Sequence, residues 1–221
     1  MTPRVPDGEA RRYFGVYPAI VTDIVDSDSL GRIQVKFPWL GATGSDDAKV
    51  WATLVSPYAD DDQGIEILPS VDTQVVVAFE AGDLRRPYIM GASWNGVESL
   101  PESAAQPNNK RVWKTRSKSK LEFDDTDGAA KVTVSMDSGH KVVLDDAAQE
   151  VTVTHSNGCY VKIDIAGRVV IQANASCDIT APVLNVHAAT ANFDGIINCT
   201  TMIASSSVVS PSYTPGAGNI W

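Results

Sequence analysis

The sequence predicts an all-β chain in two parts, a small closed barrel followed by an elongated array of strands. Three observations point there. First, β-branched and alternating apolar segments recur along the chain, and no segment carries the 3.6-residue period of a long helix. Second, three segments look like copies of one another: Ser119-Lys-Leu-Glu-Phe-Asp124, Gly139-His-Lys-Val-Val-Leu-Asp145 and Gly158-Cys-Tyr-Val-Lys-Ile-Asp164. Each ends on a large apolar residue followed by Asp, and these Asp residues fall 21 and 19 positions apart. A repeat near this length marks stacked units that each bury a face against the next. Third, residues 165–221 hold only three Asp, Glu, Lys or Arg residues, namely Arg168, Asp178 and Asp194. A disordered tail needs more charge to stay solvated, so this segment is expected to pack against something.

The elements follow in order. Residues 1–12 form a polar, Pro-containing lead-in. Ala19-Ile-Val-Thr-Asp-Ile-Val25 has the β-branched density of a strand. Asp26-Ser-Asp-Ser-Leu-Gly31 is a turn by composition. Arg32-Ile-Gln-Val-Lys-Phe37 alternates polar and apolar, so Ile33, Val35 and Phe37 share a face, and Pro38 ends the strand. Gly41 to Asp47 is a loop and Lys49 to Val55 a strand. Ser56 to Gly64 is a loop containing Asp60, Asp61 and Asp62. Ile65 to Pro69 leads through a turn at Val71-Asp72 into the strand Gln74 to Glu80. Gly82-Asp83 turns into Arg85 to Ser93. About five strands in roughly 85 residues, without a long helix, predict a small closed barrel.

Several of these segments carry a resemblance. Gly31-Arg-Ile-Gln-Val-Lys-Phe-Pro-Trp39, Trp51-Ala-Thr-Leu-Val-Ser-Pro-Tyr58, Leu68-Pro-Ser-Val-Asp-Thr-Gln-Val-Val-Val-Ala-Phe79, Gly82-Asp-Leu-Arg-Arg-Pro-Tyr-Ile-Met-Gly91 and Trp94-Asn-Gly96 occur in that order. Together they resemble the OB-fold domain of the contractile-tail central spike family. That family includes phage baseplate assembly protein V and the valine-glycine repeat spike of type VI secretion. The likeness covers residues 13–99. It departs at Val71-Asp72-Thr73, where the family more often has Val-Gly-Asp, so this turn is expected to differ locally.

Beyond the barrel, residues 100–117 read as a linker. Lys110, Arg111, Lys114, Arg116, Lys118 and Lys120 form a basic collar around its end. A nucleic-acid contact is disfavoured there, because Trp113 is the lone aromatic among these cations and stacking platforms use several. Residues 118–207 read as a shaft and 208–221 as a tip segment. Val132 with Val134, Val142 with Leu144, Val151 with Val153, Val161 with Ile163 and Ile165, and Val169 with Ile171 each share a face. A lone ribbon of this kind leaves its apolar face and its edges open, which is an aggregation template. A single-chain β-solenoid and three identical chains wound together both answer that problem. The resemblance implies the second, an intertwined trimeric β-helix, or β-prism, in which each strand pairs with other chains. Ten or so strands spaced at about 4.8 Å make a shaft on the order of 50 Å.

Chemistry is sparse. The chain carries 18 Lys and Arg against 27 Asp and Glu, a poor balance for gripping phosphate. Residues 1–110 alone carry 16 acidic and 9 basic side chains. The consecutive Asp60, Asp61 and Asp62 do not match a calcium loop, which spaces its acids at alternate positions with a distal Glu. Cys159, Cys177 and Cys199 are odd in number and spaced near the repeat, so they are expected at small interior strand positions. The histidines are His140, His155 and His187. Some spikes of the family hold an apical iron through a His-x-His pair, and here His187 has no such neighbour, so no metal is carried over. Some hold a lysozyme domain between barrel and shaft, for which the gap of about 20 residues is too short. No Gly-x-Ser-x-Gly elbow, zinc motif or phosphate-cradling loop occurs. No catalytic residue, cofactor or metal is expected, and neither a secretory signal nor a membrane-spanning helix.

The resemblance implies a homotrimeric central spike at the tip of a phage-tail baseplate or an equivalent injection particle, made in the host cytoplasm. Its barrel would join a hub protein, a separate tip protein would cap its other end, and it would pierce the target envelope when a sheath contracts. The rival reading is an OB-fold binding module for single strands or glycans on a β-solenoid stalk.

Overall fold

The computed structural model describes residues 12–40 and 49–211. The lead-in up to residue 11, the loop from Gly41 to Asp47 and the tip segment from residue 212 onward lie outside the described residues. The chain divides into two units, Met1–Asn174 and Ala175–Trp221.

The first unit opens with strands β1 (Val16–Asp23), β2 (Arg32–Lys36) and β3 (Lys49–Leu54). A small arm follows, made of β4 (Ala59–Asp60) and β5 (Gln63–Gly64), then β6 (Gln74–Phe79) and β7 (Pro87–Ala92). The sheet closes in the order β1-β2-β3-β7-β6 and back to β1. Pairings are antiparallel except β3 with β7, which are parallel. This is the five-stranded Greek-key closure of an OB barrel.

Alternation fixes what lies inside. Ile33 and Val35 are fully buried and Phe37 nearly so, as their period-2 spacing predicts. They meet Ala19 and Val21 from β1, Ala52 from β3, Val75, Val77 and Phe79 from β6 and Ile89 from β7. Tyr13, Tyr17, Phe37, Trp39 and Phe79 form one aromatic cluster, with Tyr17 stacked on Trp39 at 4.8 Å between centroids. The Trp39 indole N–H, which needs a partner once half-buried, donates to the Pro18 carbonyl at 2.8 Å.

The β1–β2 turn is built on one carboxylate. Asp26 accepts hydrogen bonds from the backbone N–H groups of Asp28, Leu30 and Arg32 and from Arg32 Nε at 2.8 Å. Its side chain is only 4% exposed. The Arg32 guanidinium holds it well below the usual carboxylate range, and in return the guanidinium pKa is raised. The departure at Asp72 is absorbed in the same way. Asp72 takes φ 69, the left-handed conformation that a glycine adopts freely and Asp tolerates better than most residues. Its N–H donates to the Val21 carbonyl at 2.9 Å, tying the turn to β1.

After the barrel come seven strands in one sheet: β8 (Lys110–Lys114), β9 (Lys120–Asp124), β10 (Lys131–Ser135), β11 (Lys141–Asp145), β12 (Glu150–Thr154), β13 (Tyr160–Ile163) and β14 (Val169–Gln172). Each pairs antiparallel with its neighbour in sequence. These pairings lie within the chain, because turns of four to six residues bring each strand straight back beside the last. Gly139 and Gly158 permit two of those turns, at φ 97 and φ 92. The sheet also begins at Lys110, inside the segment read as a linker. The three repeat Asp residues are turn caps. Asp124 accepts the Thr126 N–H, Asp145 the Ala148 N–H, and Asp164 the N–H groups of Ala166 and Arg168.

The second unit is different. No strand or helix forms among residues 175–211, in place of the further strands of the expected ten, and each of these residues is exposed. Bends fall near residues 182, 189, 194, 200 and 205. No backbone hydrogen bond joins two of its described residues. Cys177 and Cys199 are exposed here instead of filling interior strand positions, and Cys159 is half-buried in the first unit.

Candidate functional site

The register of the seven-stranded sheet makes a continuous surface. Residues paired across an antiparallel ladder point to the same side, so pairing and alternation together place every side chain. Phe123, Val132, Leu144, Val151, Ile163 and Val169 lie opposite one another in sequence across β9 to β14. Trp113, Leu121, Val134, Val142, Val153, Val161 and Ile171 form a second row on the same side across β8 to β14. Arg111, paired with Phe123, is the one charged residue of the two rows. The alternating residues within the strands that were predicted to share a face do so and join into one stripe, whereas Ile165 lies in the turn after β13.

That stripe is uncovered. Trp113 is 57% exposed, Leu144 49%, Val153 48% and Ile171 60%. Scattered exposed apolar residues are ordinary, whereas an unbroken apolar face across seven strands marks a contact surface. The opposite side is polar and satisfied. Lys120 Nζ pairs with Glu122 at 2.6 Å and Lys162 Nζ with Glu150 at 3.1 Å. Asp164, 6% exposed, accepts Arg168 Nε at 2.9 Å. The Arg168 side chain holds its carboxyl below the usual range.

The other candidate residues do not converge on a chemical site. Asp60, Asp61 and Asp62 sit on the exposed β4–β5 arm, where Asp61 N–H caps onto Asp60. Among the described residues no group of three or more His, Cys, Asp or Glu side chains is placed to hold a metal ion. Nor is any helix among them long and apolar enough to cross a membrane. In the basic collar, Lys110 pairs with Glu102, Arg111 with Asp125, Lys118 with Asp137 and Lys120 with Glu122, so much of its charge is locally neutralised. His187 lies exposed in the second unit. Sequence reasoning missed one contact. His140 and His155, 15 positions apart, face each other with ring centroids 4.4 Å apart. The equal turns before β11 and after β12 were the signal that places them opposite one another.

Comparison with known proteins bears on the barrel first. Residues 17–94 match the type VI secretion system/phage-baseplate injector OB domain. The type VI secretion system spike protein VgrG3 of Vibrio cholerae is 26% identical over 111 residues, which is 48% of this chain and 11% of that protein. The spike protein VgrG5 of Pseudomonas aeruginosa is 29% identical over 112 residues, 48% of this chain and 14% of that protein. The spike protein VgrG4b of the same organism is 25% identical over 134 residues, 56% of this chain and 17% of that protein. The chain therefore spans under a fifth of the length of these relatives. A share of 48–56% is more than residues 1–94 supply, so the likeness also takes in residues beyond the barrel. A further relative, 24% identical over 111 residues, is the actin cross-linking toxin VgrG1 of Vibrio cholerae. Residues 17–94 are thus similar to the type VI secretion system/phage-baseplate injector OB domain, and about half of this chain is similar to proteins named as type VI secretion spikes.

Proposed function

We propose that the chain is the central spike of a contractile tail or injection baseplate, acting as a homotrimer. The observation that carries this reading is the uncovered apolar face spanning β8 to β14. Three copies with these faces turned to a common axis bury the stripe and leave the charged side outward. The second unit supports the same reading. Among its described residues 175–209, all exposed, no backbone hydrogen bond joins one to another, and such backbone groups require pairing once covered. Two further copies wound around it supply those partners.

In this reading the role is mechanical. The barrel joins a hub at the baseplate, the shaft points toward the target, and sheath contraction drives it through the outer envelope. A separate tip protein at the C-terminal end fits the same arrangement. Wound around one another, the second units of three copies resist local opening, since opening one breaks pairings to two other chains. No residue in this reading acts as a catalyst, and nucleic acid is not a partner. The test is immunogold labelling of the barrel on contractile particles from producing cells. Gold at the baseplate end supports the proposal. Gold absent from particles, with the protein abundant elsewhere, refutes it.

A further inference from the structure

We propose that the His140–His155 pair makes the three-chain packing acid-labile, an inference that rests on the trimeric reading of the apolar face. Lys141 pairs with Thr154 across β11 and β12, and His140 and His155 lie one step beyond that pair. Alternation puts His140 on the side of Val142 and Leu144, and His155 on the side of Val153 and Val151. Both rings therefore stand at the margin of the apolar stripe. The backbone continues through them, with Met136 N–H donating to the His140 carbonyl at 3.0 Å and His155 N–H to the Cys159 carbonyl at 2.8 Å.

Each ring uses Nδ1 as an acceptor. Ser156 N–H donates to His140 Nδ1 at 3.3 Å, and Asn157 N–H to His155 Nδ1 at 3.2 Å. An imidazole nitrogen that accepts carries a lone pair, so both hydrogen bonds require an unprotonated Nδ1. Among the described residues no carboxylate is bonded to either ring to balance a charge. In the turn ahead of His140, Asp137 is engaged with Lys118 at 3.4 Å. Lys141 alternates to the polar side of β11. In the turn after β12, Cys159 Sγ accepts the Asn174 N–H at 3.3 Å, and Asn157 is uncharged. Protonating both rings breaks two accepted hydrogen bonds and sets two cations 4.4 Å apart between centroids. Covering the face with two more copies adds the cost of desolvating those charges.

The sign follows. The assembled trimer favours the neutral rings, and the separated chain accepts protons freely. Assembly is firm at about pH 7.5 and weakens as pH falls toward about 5. Asp26 and Asp164, held low by their arginines, stay ionised across that window and do not contribute to the change.

The experiment measures trimer dissociation rate by sedimentation of the full chain at about pH 7.5 and about pH 5. Wild type, His140→Gln, His155→Gln and the double variant are compared. Gln keeps a neutral acceptor and removes the proton site. Wild type is expected to dissociate about tenfold faster or more at the lower pH, and the double variant less than about twofold faster. If the double variant does not assemble at neutral pH, the single variants decide, each expected to accelerate less than wild type. Equal acceleration in wild type and variants, or none in wild type, overturns this inference and leaves the trimer standing. A wild-type chain of single mass at both pH values overturns the trimeric reading and the inference with it.

Discussion

Val153→Asp places a carboxylate in the middle of the apolar stripe. Val153 is 48% exposed in the single chain, with Val142 paired on one side and Val161 on the other. If the chain works alone, the carboxylate reaches water. The change then costs only lost strand preference, about 1 kcal/mol at most. If three copies close over the stripe, three carboxylates are buried near one axis without partners. At ~3 kcal/mol per ion, the low end of several, the penalty is on the order of 9 kcal/mol per trimer before mutual repulsion. Each 1.4 kcal/mol is about tenfold in an equilibrium constant, so assembly falls by about six powers of ten. Thr152→Asp is the control, because Thr152 points to the polar side between Val143 and Lys162 and is expected to change stability by about 0.5 kcal/mol or less. Sedimentation velocity at micromolar concentration reads both. Val153→Asp as monomer and Thr152→Asp as trimer is the expected pair of results. A Val153→Asp protein of wild-type mass and wild-type melting refutes the argument.

Three more outcomes are expected. Backbone amides of residues 175–209 have no partner within the chain, so strong hydrogen-exchange protection there means pairing to other copies, and free exchange at the intrinsic rate contradicts it. Asp72→Gly relieves the left-handed conformation at φ 69 and is expected to leave the barrel more stable by about 0.5–1 kcal/mol in a urea melt. A clear loss of stability instead assigns the Asp72 carboxylate a contact of its own. Acid stability follows the depressed carboxylates. Arg85 holds Asp83 at about 2, and Asp26 and Asp164 also lie below the usual range. Their contribution is fully present above the unfolded value near ~3.9 and is lost as pH falls through the folded values. The melting midpoint should therefore fall between pH ~4 and ~2, and less steeply in Asp164→Asn. A midpoint flat across that interval contradicts the assignment.

Most of the barrel was legible because two independent signals agreed. Ile33, Val35 and Phe37 alternate strictly, and the Asp26 to Gly31 turn before them carries its own chemistry. The β4–β5 arm was not legible, since strands of two residues leave no period to read. Strand β8 was hidden by Lys110, Arg111 and Lys114, cations that suit an edge strand as well as a linker. The apolar stripe was legible, but the partner of each strand was not, because alternation is the same whether a strand pairs within its chain or outside it. Turn length decides between these, and the composition of a turn does not reveal its topology. The cysteines misled for a related reason. Spacing near the repeat placed Cys177 and Cys199 on strands that the chain does not form by itself. The His140–His155 contact depends wholly on register, which no single segment reveals.

In the proposed assembly the apolar face of this sheet is closed by two further copies of the chain. The native mass of the protein in dilute neutral buffer tests this most directly. A single species at three times the 23.6 kDa of one chain is expected. A species of 23.6 kDa that remains folded with its stripe open to water contradicts it.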